Sequence, residues 1–157
     1  MRFTAKNKLG FIRPLYLIAL TFNIVVITFQ AFHIKGCSEF SPGEYILRIH
    51  NRIFVYPETN IPLKVHCASK DREIGYHTVS QSKDIFWGLC MNIWRSTMYF
   101  CHFWWGNKEA AFEVFNNKIA RKCSGDLFCL WVVRADGIAL TDYFSYREID
   151  FYHWRDK

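Results

Sequence analysis

The chain of 157 residues is 51% hydrophobic, 18% aromatic and 22% charged. That composition excludes disordered and collagen-like chains, and the length holds one domain, two at most. The formal charge of +6 suits a binder of nucleic acid or membrane surfaces until it is placed along the chain: Arg2, Lys6, Lys8, Arg13 and Lys35 precede Cys37, and no Asp or Glu does. From residue 37 onward 15 Lys and Arg face 14 Asp and Glu. A body so close to neutral has little pull on phosphates, which argues against a nucleic-acid partner.

Residues 2–13 carry four positive charges, and nothing from Pro14 to Phe32 is charged. A basic start followed by an apolar run is the layout of a secretory signal peptide. The expected boundaries are 1–36 for the signal peptide, cleaved after residue 31 or 36, and 37–157 for a single domain. A retained signal anchor is the alternative, although Thr21, Asn23, Thr28 and Gln30 dilute the 19-residue apolar stretch. Both readings put the body in the secretory lumen or outside the cell. The expectation is a secreted, extracellular protein with no stable membrane insertion once the leader is removed.

In the body the dominant hydrophobic period is two. Leu63, Val65 and Cys67 alternate with Lys64 and His66. Tyr99, Cys101, Phe103 and Trp105 share one phase, as do Cys129, Trp131 and Val133. Such alternation marks half-buried strands. Further strands are expected at 45–56 (interrupted near Asn51), 75–79, 84–89, 110–115 and 138–141. Residues 109–114 also admit a short helical turn. Pro57–Asn60, Lys70–Glu73, Gly106-Asn107, Ser124–Asp126 and Asp136-Gly137 supply the turns. No stretch of ten residues has a helical period, and neither heptads nor repeats occur. The fold class expected is all-β, a small antiparallel β-sandwich of seven or eight strands.

Six cysteines, Cys37, Cys67, Cys90, Cys101, Cys123 and Cys129, lie in the body and none in the leader. In a small exported domain they read as disulfides, with 15 connectivities open. Cys67, Cys101 and Cys129 fall on the apolar phase of their strands, so their sulfurs point inward.

Several motifs in order resemble the plant self-incompatibility S-protein family. They are Leu63-x-Val65-His66-Cys67 with Ser69-Lys70-Asp71, then Ile74-Gly75 and His77, then Phe86-Trp87. Thr97-x-Tyr99-Phe100-Cys101 follows, running into Phe103-Trp104-Trp105-Gly106. Next come Phe112-x-Val114-Phe115, Cys123 and Cys129 before Trp131-x-Val133, Asp136-Gly137, and a terminal Tyr152-x-Trp154. The resemblance covers about residues 45–154. It implies a secreted β-sandwich with two disulfides among Cys67, Cys101, Cys123 and Cys129, and a monomeric ligand read by a cell-surface receptor protein in the rejection of self pollen. Cys37 and Cys90 are additional to that pattern, giving a third bridge or free thiols. The absence of any Asn-x-Ser/Thr sequon sets N-glycosylation aside.

Other chemistries fit less well. His66 and Cys67 are neighbours on a strand, so they face opposite ways and cannot share one metal ion. No metal or other cofactor is expected. A catalytic Cys–His pair needs a free thiolate, which an oxidising compartment withholds. His66, His77 and His102 could form a ribonuclease-like set, but the aromatic strand motifs do not resemble that fold. The main alternative is a secreted carbohydrate-binding module or enzyme using exposed aromatics. Such a site needs two or three coplanar exposed aromatics beside polar groups, and exposure of Trp94, Trp104 and Trp154 would favour it. For recognition, the charged run Lys70, Asp71, Arg72 and Glu73 is the candidate partner-binding loop, since sandwiches bind through the loops at their ends.

Overall fold

The computed structural model describes residues 37, 41, 43–54, 61–123 and 127–157. The signal-peptide expectation for residues 1–36 and the turns at 57–60 and 124–126 lie outside the described residues. Among the described residues ten strands form: β1 (Gly43–Asn51), β2 (Leu63–Ser69), β3 (Glu73–Val79), β4 (Asp84–Met91), β5 (Tyr99–Trp105), β6 (Lys108–Phe115), β7 (Phe128–Val133), β8 (Gly137–Thr141), β9 (Glu148–His153) and β10 (Arg155–Asp156). A four-residue helix, α1 (Asn117–Ala120), the one helix among the described residues, follows β6, and Asn116 caps it by accepting from the backbone N–H groups of Lys118 and Ile119.

The strands make two five-stranded sheets. Sheet A has the order β4-β1-β7-β8-β9 and sheet B the order β10-β6-β5-β2-β3. The all-β sandwich with disulfides is therefore what the alternation implies, with two refinements. Ten strands replace seven or eight, because β9, half-buried on both faces, and the exposed two-residue β10 pair at sheet edges without a clear alternation. The pairing of β1 with β7 is parallel, while the other pairings among the described residues are antiparallel. The chain between β1 and β7 passes through β2, β3, β5 and β6 of sheet B, and a crossover of that length permits parallel pairing.

The core lies between the sheets. Leu47 and Ile49 of β1, Leu89 of β4, Trp131 and Val133 of β7, and Ile138 and Leu140 of β8 meet Leu63, Val65, Cys67, Tyr99, Cys101, Phe103, Phe112 and Val114 of sheet B. Trp131 is fully buried and donates its indole N–H to the Val114 carbonyl of the opposite sheet at 2.9 Å. This satisfies the one polar atom that a buried Trp carries. Residues 109–114, open to a helical reading, are strand: Ala110, Phe112 and Val114 point inward, and a two-residue Gly106-Asn107 turn joins β5 to β6. Gly106 has φ +57°, the left-handed conformation such turns demand.

Sheet A also buries part of its outer face. Leu130 and Val132 of β7 and Ala139 of β8 are buried although they alternate with core residues. Phe151 sits opposite Ala139 in the β8–β9 ladder, and Tyr143 of the 142–147 segment stacks on Phe128 with 4.7 Å between centroids.

Candidate functional site: the bridged end of the sandwich

Strand register fixes which loops share an end. Ser69 at the end of β2 pairs with Tyr99 at the start of β5, and Tyr99 also pairs with Phe115 at the end of β6. The β2–β3 loop, the β4–β5 loop and the segment after β6 therefore leave sheet B at one end. In sheet A, Gly43 pairs with Met91, which brings the start of β1 there too.

All six cysteines are bridged: Cys37 to Cys90, Cys67 to Cys101 and Cys123 to Cys129. Cys67 and Cys101 are direct partners in the β2–β5 ladder with Cα atoms 4.2 Å apart, so this bridge ties neighbouring strands of one sheet. Cys37–Cys90 fastens the segment before β1 to β4, and Cys123–Cys129 staples the segment after α1 to β7. With every cysteine in a disulfide, the chain offers no thiolate for metal binding or nucleophilic attack.

The charged run splits in two. Ser69 Oγ accepts from the backbone N–H groups of Asp71 and Arg72, folding the loop back on itself. Arg72 donates to the Gly88 carbonyl of β4 at 2.8 Å, and the Glu73 carboxylate accepts from the Gly75 backbone and pairs with His66 at 2.8 Å. Arg72 and Glu73 are thus engaged within the fold. Lys70 and Asp71 are exposed and their side chains have no ion pair among the described residues.

The β4–β5 loop presents apolar rather than charged side chains at its tip. Asn92 holds it from both sides: its amide donates to Ser96 Oγ, its carbonyl oxygen accepts from the Ser96 N–H, and its backbone N–H donates to Thr97 Oγ1. Thr97 in turn donates to the Cys90 carbonyl. At the tip Ile93 is 58% and Trp94 82% exposed. The Asn-x-x-x-Ser-Thr spacing was the sequence signal for so laced a loop, because short polar side chains satisfy turn backbones.

The tryptophans of the carbohydrate alternative do not assemble. Trp94 is on this loop. Trp104 stands on the outer face of sheet B. Trp154 donates to the Arg134 carbonyl and leans on Trp105. On the outer face of sheet B, His66 stacks on Tyr76 with 4.2 Å between centroids and His102 on Trp104 with 3.9 Å. Tyr76, 77% exposed, also lies roughly parallel to Trp104 with 6.2 Å between centroids, so an aromatic cluster stands on this face, but Trp94 and Trp154 are not part of it. His66 and His102 are ladder partners there, His102 pairing with Glu109, whereas His77 is the partner of core-facing Val65. The three histidines do not converge as an acid–base set. Among the described residues no group of three or more His, Cys, Asp or Glu is placed to hold a metal ion, and no helix is long and apolar enough to cross a membrane.

Fold and bridges together define a small disulfide-stabilised β-sandwich with a rigid, loop-bearing end. The sequence profile described as Plant self-incompatibility protein S1 matches residues 46–154. The chain is 32% identical to S-protein homolog 19 of Arabidopsis thaliana over 76% of its own length and 85% of that protein. It is 30% identical to S-protein homolog 5 (48% of this chain, 58% of the homolog) and 29% identical to S-protein homolog 18 (54% and 63%), both also of Arabidopsis thaliana. It thus spans less than two thirds of the latter two. The chain belongs to the plant self-incompatibility S1 protein family. No solved structure matches it.

Proposed function

We propose that this protein is a secreted, monomeric recognition ligand, read by a cell-surface receptor protein through the loops at the bridged end, in the manner of self-incompatibility signalling and without catalysis. The observation that carries the reading is Trp94: a large aromatic held in solvent on a loop closed by Asn92, Ser96 and Thr97, one residue pair from a disulfide-bonded strand. An exposed indole on a rigid support is the type of side chain that dominates binding energy, because little conformational freedom is left to lose on contact. Lys70 and Asp71, at the same end and unpaired, supply charge at the rim. Membership of the S1 family supports export and extracellular action, as does the complete pairing of the cysteines, since disulfides persist in oxidising compartments.

The test is saturable binding of the purified, fully bridged protein to receiving plant cells. Trp94→Ala is expected to weaken it at least tenfold, a loss of about 1.4 kcal/mol or more. The paired Lys70→Ala and Asp71→Ala change should weaken it less. Undiminished binding by both variants, each with native circular dichroism, contradicts the assignment of this end.

A further inference from the structure

A second site lies away from the bridged end, on the outer face of sheet A. Arg48, His50 and Arg52 occupy alternate positions of β1 and its end, so a period of two sends all three outward. In the parallel ladder Arg48 lies beside Leu130 and His50 beside Val132. With Tyr143 and Tyr146 of the 142–147 segment they line a half-open cleft of about 370 Å³, a size that suits a small molecule. Its floor is apolar and its rim is cationic and aromatic.

The charges are unequal. Arg48 is ion-paired with Asp84 of β4. Arg52 is exposed and its guanidinium has no ion pair among the described residues. Nδ1 of His50 is buried without a hydrogen-bond partner, a condition that native interiors seldom leave unexplained. The backbone is unusual at the same place. Ser82 (φ +61°) and Tyr146 (φ +53°) both line the cavity and both hold left-handed conformations that non-glycine residues avoid. Such conformations gather at binding sites.

We propose that this cavity binds a small monocarboxylate with an apolar body, its carboxylate held by Arg52 and His50 and its body on Leu130 and Val132 between the tyrosines. A planar guanidinium matches a carboxylate with two parallel hydrogen bonds. One unpaired cation beside the Arg48–Asp84 pair suits a single negative charge better than two. Burial holds His50 below the ordinary imidazole value of 6.5, with Asp84 opposing that shift and Arg48 and Arg52 adding to it. The groups facing it are therefore Asp84 from β4, the two arginines of β1, and the phenols of Tyr143 and Tyr146. His50 is neutral at pH 7, so an anion gains a charged donor as pH falls through that lowered value. Binding tightens in the same direction, and the bound anion raises the imidazole's pKa in return. The site is independent of the receptor reading, because it is measured on the isolated protein.

The test is an amide NMR titration of the purified, bridged protein with 3-phenylpropionate, hexanoate, 3-phenylpropionamide and inorganic phosphate. Both carboxylates should move the amides of residues 48–54, 82, 130–132 and 143–146, and neither the neutral amide nor phosphate should do so comparably. Arg52→Gln, an exposed change, should weaken carboxylate binding roughly tenfold with the rest of the spectrum unmoved. His50→Gln should retain binding and flatten its pH dependence below pH 7. Absence of shifts at these residues at millimolar carboxylate overturns the proposal. So does equal binding of the amide, preference for phosphate, or indifference to Arg52→Gln. Cell-surface binding by the Arg52→Gln protein separates the two readings: it should match wild type whatever the titration gives.

Discussion

At the scale of single residues, three positions carry consequences that can be measured. A Cβ at Gly137 would lie 2.5 Å from the Tyr152 carbonyl, in the ladder where Gly137 pairs with His153, and against the Phe151 ring. Gly137→Ala should destabilise by about 1–3 kcal/mol or more as β9 is pushed away, read as a lower midpoint of urea unfolding. Trp131→Phe leaves the Val114 carbonyl buried and unpartnered and should cost about 1–3 kcal/mol. A loss no greater than that of an exposed substitution such as Phe86→Leu would show that this inter-sheet hydrogen bond is dispensable. Asp142 closes the segment over sheet A: its carboxylate accepts from the backbone N–H and hydroxyl of Ser145 and from the Phe144 N–H. The Ser145 backbone and hydroxyl, with lesser help from Phe144 and Arg147, hold that carboxyl below its ordinary value. A depressed folded-state value means the stabilisation is complete above the ordinary carboxylate pKa and is lost as pH falls through the lower folded one. Hydrogen exchange at residues 143–146 should stay slow down to that range. Loosening near neutral pH would contradict the role given to Asp142.

At the scale of elements, the three bridges should differ in value. They close spans of 53, 34 and 6 residues. On the loop-entropy argument, removing Cys37–Cys90 or Cys67–Cys101 should cost about 4 kcal/mol each, and removing Cys123–Cys129 about 2 kcal/mol. Paired Cys→Ala variants compared by denaturant unfolding test the order; a Cys123–Cys129 deletion as costly as the others would show that local strand docking, not chain entropy, dominates. Elements also show what was readable beforehand. β2 was plain, because Leu63, Val65 and Cys67 are buried while Lys64 is exposed. β9 was not, since Ile149, Asp150, Phe151 and Tyr152 are all half-buried and no phase stands out. The neighbours of β1 are unreadable as well: nothing local in residues 43–51 distinguishes a parallel partner 82 positions away (128 − 46) from an antiparallel one. The charged run holds the β2–β3 turn only over 70–72, with Glu73 already in β3, and the engagement of Arg72 with β4 and of Glu73 with His66 depends on tertiary neighbours that sequence spacing does not reveal. The cavity on sheet A was hidden for the same reason. Arg48, His50 and Arg52 look like an ordinary solvated face until the 142–147 segment folds beside them.

At the scale of the whole molecule, residues 37–157 carry nearly balanced charge, 15 basic against 14 acidic. Long-range electrostatic steering should therefore be weak. The association rate at receiving cells should change by less than about threefold as salt rises through the physiological range, measured by stopped binding with labelled protein. A steep fall would mean that a charged patch, not the apolar loop tip, drives encounter. The sandwich is otherwise suited to presenting loops: Trp131 joins its layers, three disulfides fasten strands and the segments before β1 and after α1, and the core is continuous from Leu47 to Leu140.

The most direct measurement is site-directed photo-cross-linking on living receiving cells, with a photoreactive phenylalanine at position 94 or, as a control, at position 78 on the outer face of sheet B. Recognition through the bridged end predicts a discrete cross-linked membrane protein from position 94 and none from position 78. Saturable binding that gives its adduct from position 78 alone, or from neither, would contradict the account.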